Sequence, residues 1–150
     1  MLYSTRTTPM LVGAPRFKRT WSYPAVYPSG ETNVKRMIVG SCAMFDAESP
    51  YARLLGTEIT DFLVEEHVMG DFLGVFITGD GCIVQPYLPS MTVSHVAAAD
   101  LQLFAKRDDA MVLLAAGGGH KVRLIRTVME LGLCNAFITD YATALALVNP

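Results

Sequence analysis

Three apolar runs without polar alternation punctuate the second half of the chain and the stretch before it. Met37-Ile38-Val39 closes on Gly40 and Ser41, "AMVLLAAG" occupies residues 110–117, and "CNAFITD" occupies residues 134–140. Runs of that length, bounded by turn residues, suit strands buried on both faces, as in a parallel sheet. Between them the period changes. In "TEITDFLVEEHV" (57–68), Ile59, Phe62, Leu63 and Glu66 fall at helical spacing, with Thr57 as N-cap and Glu58 and Asp61 in the first turn. "VSHVAAADLQLF" (93–104) reads as a short helix capped at Ser94. Val122, Ile125 and Met129 form one stripe of another, and "YATALALV" (141–148) is a last short helix. Strand, helix, strand, helix at this spacing implies parallel pairing through a right-handed crossover, and the class is α/β.

Two further patterns complete the picture. Val75 to Thr78 and Cys82 to Gln85 are strand-like, and Asp80-Gly81 between them predicts a tight primed hairpin turn. Residues 1–36 form an irregular N-terminal segment: "PMLVGAP" is compatible with a short strand, and "TWSYPAVYPSGET", with Pro24, Pro28 and Gly30, is a loop.

Composition narrows the function classes. At 150 residues the chain has the size of one domain. Its hydrophobic fraction of 51% excludes disorder and calls for a well-buried sheet or a covered surface. Twelve basic residues against 14 acidic ones disfavour unaided DNA binding, which usually needs a basic surplus on one face. Cys42, Cys82 and Cys134 are odd in number and far apart. They make neither a disulfide framework nor a structural zinc site, and are expected as buried thiols in a reducing compartment. No window approaches the roughly 18 apolar residues of a membrane span, and no secretory leader is evident, so a soluble, cytoplasmic protein is expected.

The chemistry-bearing residues lie at predicted strand ends, where open parallel sheets bind ligands. Gly117-Gly118-Gly119 leads into a helix that opens with His120, Lys121 and Arg123. Cations there oppose the helix dipole unless something negative is near. Either the glycines and Lys121 receive an anion, or the glycines only make a tight turn and the lysine is solvated. Thr139-Asp140 stands at the next strand end. Asp71, directly after Gly70, either accepts hydrogen bonds from sugar hydroxyls or caps a turn. His67 and Asp71 stand four apart, but Gly70 intervenes and no third ligand is in view, so no metal is expected. His95 and His120 read as surface and loop histidines, and Glu65-Glu66 as a solvated helix face. Ser41 is in no G-x-S-x-G elbow.

These residues carry a resemblance. "GDFLGVFITGDG" resembles the G-D-i-l-g-x-f-f-d-x-x-G signature of the SorC-type (DeoR-like) sugar-binding transcriptional regulators. "AAGGGHK" is similar to their A-G-G-x-x-K turn, and "GLCNAFITDYATALAL" to their G-x-i-N-x-l-i-T-D-x-x-T-A-x-x-L ending. The three motifs occur in the family's order and span about Met37 to Val148, with "LVGAP" and "IVGSCA" as weaker echoes of two earlier strand ends.

The resemblance implies a partial Rossmann-like parallel sheet with flanking helices and a β-hairpin, similar to phosphosugar isomerases and deaminases. It implies the C-terminal part of a non-catalytic domain that binds a phosphorylated sugar or related effector, without cofactor, and responds through oligomeric state and DNA affinity. By motif, Asp71 holds effector hydroxyls and Lys121 meets the effector from the glycine turn. Gly117 and Gly118 allow the approach, Gly70, Gly40 and Ser41 belong to the same strand-end crevice, and Thr139 and Asp140 border it. Nothing in the chain resembles the helix-turn-helix domain with which members begin, so DNA contact is expected only through a domain outside it. The family's first sensor strand with its glycine- and Ser/Thr-rich loop is likewise unmatched, and its usual G-x-G after the second strand is Gly40-Ser41-Cys42 here. Two other readings stand beside this one. A small phosphosugar enzyme would use Asp71 with His67 or His120 as acid and base, and an oligomerising remnant would use only its sheet edge.

Overall fold

The computed structural model describes residues 34–86 and 96–149, and the backbone of residues 10–13. Along the chain these form β1 (Met10–Gly13), β2 (Arg36–Gly40), β3 (Cys42–Met44), α1 (Pro50–Leu55), α2 (Thr57–Glu65), β4 (Val68–Phe72), β5 (Val75–Thr78) and β6 (Ile83–Val84). Then follow α3 (Ala98–Ala105), β7 (Ala110–Ala115), a 3-10 turn at Gly119–Lys121, α4 (Val122–Glu130), β8 (Ala136–Thr139) and α5 (Tyr141–Val148). The strands make two four-stranded sheets, ordered β1-β8-β7-β2 and β3-β4-β5-β6. In the first, β2, β7 and β8 are parallel, as the apolar runs and the interleaved helices predict. The second is antiparallel throughout. Ser41 alone separates β2 from β3, so the chain steps from one sheet into the other at a single residue.

Helix α4 lies between the sheets. Its Leu124, Ile125, Val128 and Met129 are buried in one core cluster with Val112 and Leu114 of β7, Phe137 of β8, and Phe72, Val75 and Ile77 of the hairpin sheet. Burying each such side chain is worth roughly 1.5–3 kcal/mol, which makes this helix the main joint of the fold. It stops for a local reason. Gly132 has φ +66°, its N–H donates to Met129 O at 3.1 Å, and Leu133 N–H reaches back to Val128 O at 3.2 Å. That is the Schellman pattern, with the apolar residue after the glycine fully buried. A second cluster of Leu55, Leu63, Val68 and Phe76 fills the other face of the hairpin sheet beneath α1 and α2. The strand buried on both faces is therefore β5, all four residues of it, lying between the two clusters.

Several boundaries differ from the sequence-based expectation, each for an identifiable reason. β7 alternates buried and half-buried positions, so its second face is only partly covered. Met37 and Val39 on the neighbouring β2 are 60% and 52% exposed. Helix α2 ends at Glu65 rather than running to Val68, because His67 adopts φ +52° and breaks the helix where glycine usually does. Its N-cap is Gly56, not Thr57. A further helix, α1, precedes it, capped by Ser49, whose hydroxyl accepts from Ala52 N–H at 3.1 Å. The primed turn falls one hairpin early. Leu73 and Gly74, with φ +54° and +78°, join β4 to β5 in two residues. At Asp80-Gly81 only Gly81 has positive φ, and Gly81 N–H donates to Thr78 O at 3.0 Å. That is a three-residue loop ending in a left-handed glycine. Helix α3 begins after Ala97, so Ser94 is not its cap; Ser94, His95 and the Pro-rich segment lie outside the described residues. β1 pairs antiparallel with β8 at the sheet edge, so "LVGAP" is not a parallel strand end of a doubly wound sheet. Cys42 and Cys134 are buried as expected, but Cys82 is exposed, because it closes the solvent-facing hairpin loop. No described helix is long and apolar enough to cross a membrane.

Gly70 marks a close contact between α4 and the hairpin sheet. A Cβ there would fall on the Ala43 carbonyl oxygen and 2.5 Å from Leu124 Cδ2. Backbone cannot yield as a side chain can, so Gly70→Ala is expected to cost about 2–3 kcal/mol by overpacking, read as a lower urea midpoint at unchanged slope.

Candidate functional site

The parallel register brings three chain segments to one edge. Gly40 lies level with Leu114 and Ala115 with Ile138, so Gly40-Ser41, Gly117-Gly118 and Thr139-Asp140 all leave the sheet at its carboxyl end. This is where an open parallel sheet presents its crevice.

Asp140 organises the β7 and β8 ends. Its Oδ1 accepts the Thr143 N–H at 2.9 Å, capping α5. Its Oδ2 accepts the Thr143 hydroxyl at 2.7 Å and the Gly118 N–H at 3.1 Å. The same Gly118 N–H donates to Thr143 Oγ1 at 2.7 Å. The Thr143 hydroxyl and these N–H donors hold the Asp140 carboxyl below the usual carboxylate range. Glycine is needed at both turn positions: Gly118 has φ +104°, and a Cβ on Gly117 would collide with Asp140 Oδ2. Beneath them the Thr139 hydroxyl is buried and, among the described residues, has no hydrogen-bond partner. Thr143 is the second threonine of the T-D-x-x-T stretch in the third motif, to which the sequence reading gives no role. The D-x-x-T spacing, an acidic N-cap with a hydroxyl three residues on, is the signal that could have found it.

The helix-start cations have carbonyl partners. Lys121 Nζ donates to Cys42 O at 3.1 Å, spanning from the glycine turn to the β2–β3 step, and Arg123 Nη2 donates to Gly79 O in the hairpin loop. Both thereby reach away from the helix axis and tie α4 to the second sheet. The glycines make a tight turn, and the lysine is hydrogen-bonded rather than merely solvated. His120 is exposed beside the turn. Burial pushes the Cys42 thiol up even though Lys121 opposes it, and pushes Cys134 up to about 12. Both thiols stay protonated and act as core filler.

Asp71 sits in β4 opposite Ala43 and Phe76, partly buried. Its Oδ2 accepts the Gly74 N–H at 3.1 Å, so the carboxylate caps the Leu73-Gly74 turn. Burial raises its pKa, and the Gly74 N–H only partly offsets that. Because Asp71 is in a strand, the helical spacing that would let it share a ligand with His67 does not arise. Neither His67 nor His120 is hydrogen-bonded to Asp71. Gly70 is buried against Leu124, and a Cβ on Gly40 would come within 2.6 Å of Leu73 Cδ2. Both glycines permit close packing, Gly70 of β4 against β3 and α4 and Gly40 of β2 against Leu73 and Phe72, whereas Ser41 is exposed at the step between the sheets.

Two ionisation predictions follow from opposite signs. The folded-state pKa of Asp71 is raised, so its charged form costs stability as pH rises through that pKa. Asp71→Asn keeps the acceptor for Gly74 and is expected to raise the melting midpoint at pH 7, by an amount that shrinks in acid. The folded-state pKa of Asp140 is depressed, so its contribution is present above the unfolded carboxyl pKa and lost as pH falls through the folded one. Asp140→Ala is expected to lower the midpoint at pH 7 and to converge with the parent chain at strongly acidic pH. Melting curves of the three proteins across pH check both.

No family model and no curated protein matches this chain. Solved structures do match its fold. A transcriptional regulator from Streptococcus pneumoniae TIGR4 superposes with a TM-score of 0.56 at 22% identity, covering 75% of this chain and 41% of that one. The full-length sorbitol operon regulator SorC from Klebsiella pneumoniae gives 0.58 at 21%, covering 76% and 35%. A DeoR family transcriptional regulator from Listeria monocytogenes gives 0.57 at 17%, covering 74% and 43%. The chain thus spans less than half the length of each. What it shares with these SorC- and DeoR-type regulators, the family its motifs resemble, is their fold.

Proposed function

We propose that this chain is the carbohydrate effector-binding portion of a transcriptional regulator, non-catalytic and taking a sugar or sugar phosphate at the carboxyl edge of its parallel sheet. The observation that carries this is the convergence of Gly40-Ser41, Gly117-Gly118 and Thr139-Asp140, with Lys121 reaching across to Cys42 O. Two of the three family-like motifs supply Gly117-Gly118 with Lys121 and Thr139-Asp140, the third forms the β4–β5 hairpin that carries Asp71, and the fold matched is that of transcriptional regulators. Residues 1–150 form one partial domain in this reading. DNA contact belongs to a separate helix-turn-helix domain, the effector response runs through a homo-oligomer, and the setting is the cytoplasm.

In this reading Lys121 supplies the cation for the effector, with one of its three ammonium protons already on Cys42 O. Asp71 supplies an acceptor for sugar hydroxyls. Its identity supports that role, because asparagine would cap the same turn without the desolvation cost of a buried carboxylate. Gly40 admits Leu73, next to Asp71's turn, and Gly70 admits Leu124 of the helix that Lys121 precedes.

A thermal-shift screen against free and phosphorylated sugars tests it. A ligand at about 100 times its Kd adds about 2.7 kcal/mol, which moves the midpoint by several degrees in a domain of this size. A selective shift is expected with one sugar class and is expected to vanish in Lys121→Met. That variant keeps the aliphatic stem and loses on the order of 1 kcal/mol from the missing bond to Cys42 O. A cooperative melt that no sugar moves would overturn the reading.

A further inference from the structure

We propose that Asp140 makes the glycine-turn end of this crevice a subsite for uncharged sugar hydroxyls that excludes phosphate, leaving any phosphate of the ligand to the Lys121 end. The inference rests on the effector-binding reading and adds the chemical class accepted at one end of the site. A glycine turn ordinarily serves anions because its N–H groups are unclaimed. Here the Gly118 N–H is already shared between Asp140 Oδ2 at 3.1 Å and Thr143 Oγ1 at 2.7 Å. The chain has placed its own carboxylate where a ligand anion would sit, and Gly117 lacks the Cβ that would push that carboxylate away.

The remaining hydrogen-bonding capacity has a definite sense. A carboxylate offers about four acceptor sites. Three are used, by Thr143 N–H on Oδ1 and by the Thr143 hydroxyl and Gly118 N–H on Oδ2. What is left is an acceptor on an exposed residue, and an acceptor calls for a donor. A sugar hydroxyl donates; a phosphomonoester dianion has no proton to give, and every phosphate brings like charge. A second, independent group points the same way. Thr139 Oγ1 is buried under the turn, 3.5 Å from the position a Gly117 Cβ would take, and no described residue partners it. A hydroxyl gives and takes one hydrogen bond, and a polyol satisfies both senses where an anion satisfies one. The depressed pKa of Asp140 keeps its charge in place throughout the neutral range. At the opposite end, the ammonium of Lys121 faces the Gly40-Ser41-Cys42 step. The crevice is thus polarised, cationic toward β2 and anionic toward β8.

The test compares the parent chain with Asp140→Asn and Asp140→Ser, both of which retain an N-cap for α5, with cooperative melts as the control for folding. Binding of inorganic phosphate is followed by phosphorus NMR line width, and binding of glucose 6-phosphate and glucose 1,6-bisphosphate by calorimetry. Removing one like charge at contact distance is worth about tenfold in affinity. Inorganic phosphate is expected to bind the Asn variant about tenfold more tightly than the parent chain. The preference of the parent chain for the monophosphate over the bisphosphate is expected to collapse in the same variant. Unchanged phosphate affinity in both variants would overturn the proposal, as would a parent chain that binds the bisphosphate as tightly as the monophosphate. The phosphate arm needs no sugar. If it shows the gain while neither the sugar panel nor the two glucose phosphates bind the parent chain, the effector reading fails and the charge exclusion stands.

Discussion

The seat of helix α4 between two differently built sheets is the constraint on which the rest of the structure depends. Its buried stripe of Leu124, Ile125, Val128 and Met129 is the surface that the parallel strands and the hairpin sheet share. The seat exists because Gly70 has no side chain where Leu124 arrives. The same helix carries Lys121 at its start, and Lys121 and Arg123 hold carbonyls of the second sheet. Apolar packing thus sets the depth of the helix, and two charge-assisted hydrogen bonds set its rotation. The strand-end crevice inherits its geometry from both.

Polar side chains do a matching task at the loops. Asn135 accepts the Val112 N–H at 2.7 Å and donates to the carbonyls of Ala105 and Ala110, each at 2.9 Å. One amide therefore ties the end of α3, the start of β7 and the start of β8. Asp140 and Thr143 do the same at the other end of those strands. Buried backbone groups left unmade are expensive, so a short side chain that satisfies two or three of them fixes a loop with few residues. The consequence for function is that Lys121, Asp71 and Asp140, the residues proposed to meet the effector, each already have a structural partner. A ligand at any of them bargains with a bond already made, and the difference between those two states is what a conformational response would use.

Much of the fold was legible. The three apolar runs became the parallel strands, and the helical stripes became α2, α4 and α5. Runs and periods report burial, and burial is what a residue's own side chain expresses. The misplaced boundaries share a different cause. His67 and Leu73 adopt positive φ although neither is glycine, so the break after α2 and the primed turn before β5 lack their usual marker. The surrounding packing imposes those conformations, and a local reading has no access to it. The burial of β5 on both faces was missed likewise, because it requires α4 on one side and α1 with α2 on the other.

The candidate site divides along the same line. From its residue types alone the chain determined which groups lie at strand ends, since glycine turns, a lysine and acidic residues follow apolar runs directly. It also determined the α/β class, through the alternation of periods. Only the tertiary structure decided what those groups touch. Lys121 and Cys42 are 79 residues apart, and Gly118 and Asp140 are 22. Whether a glycine turn offers its N–H to a ligand or to a carboxylate of its own chain depends on where a neighbouring strand ends. That position is fixed by sheet register, a property of the packed whole and not of any one stretch.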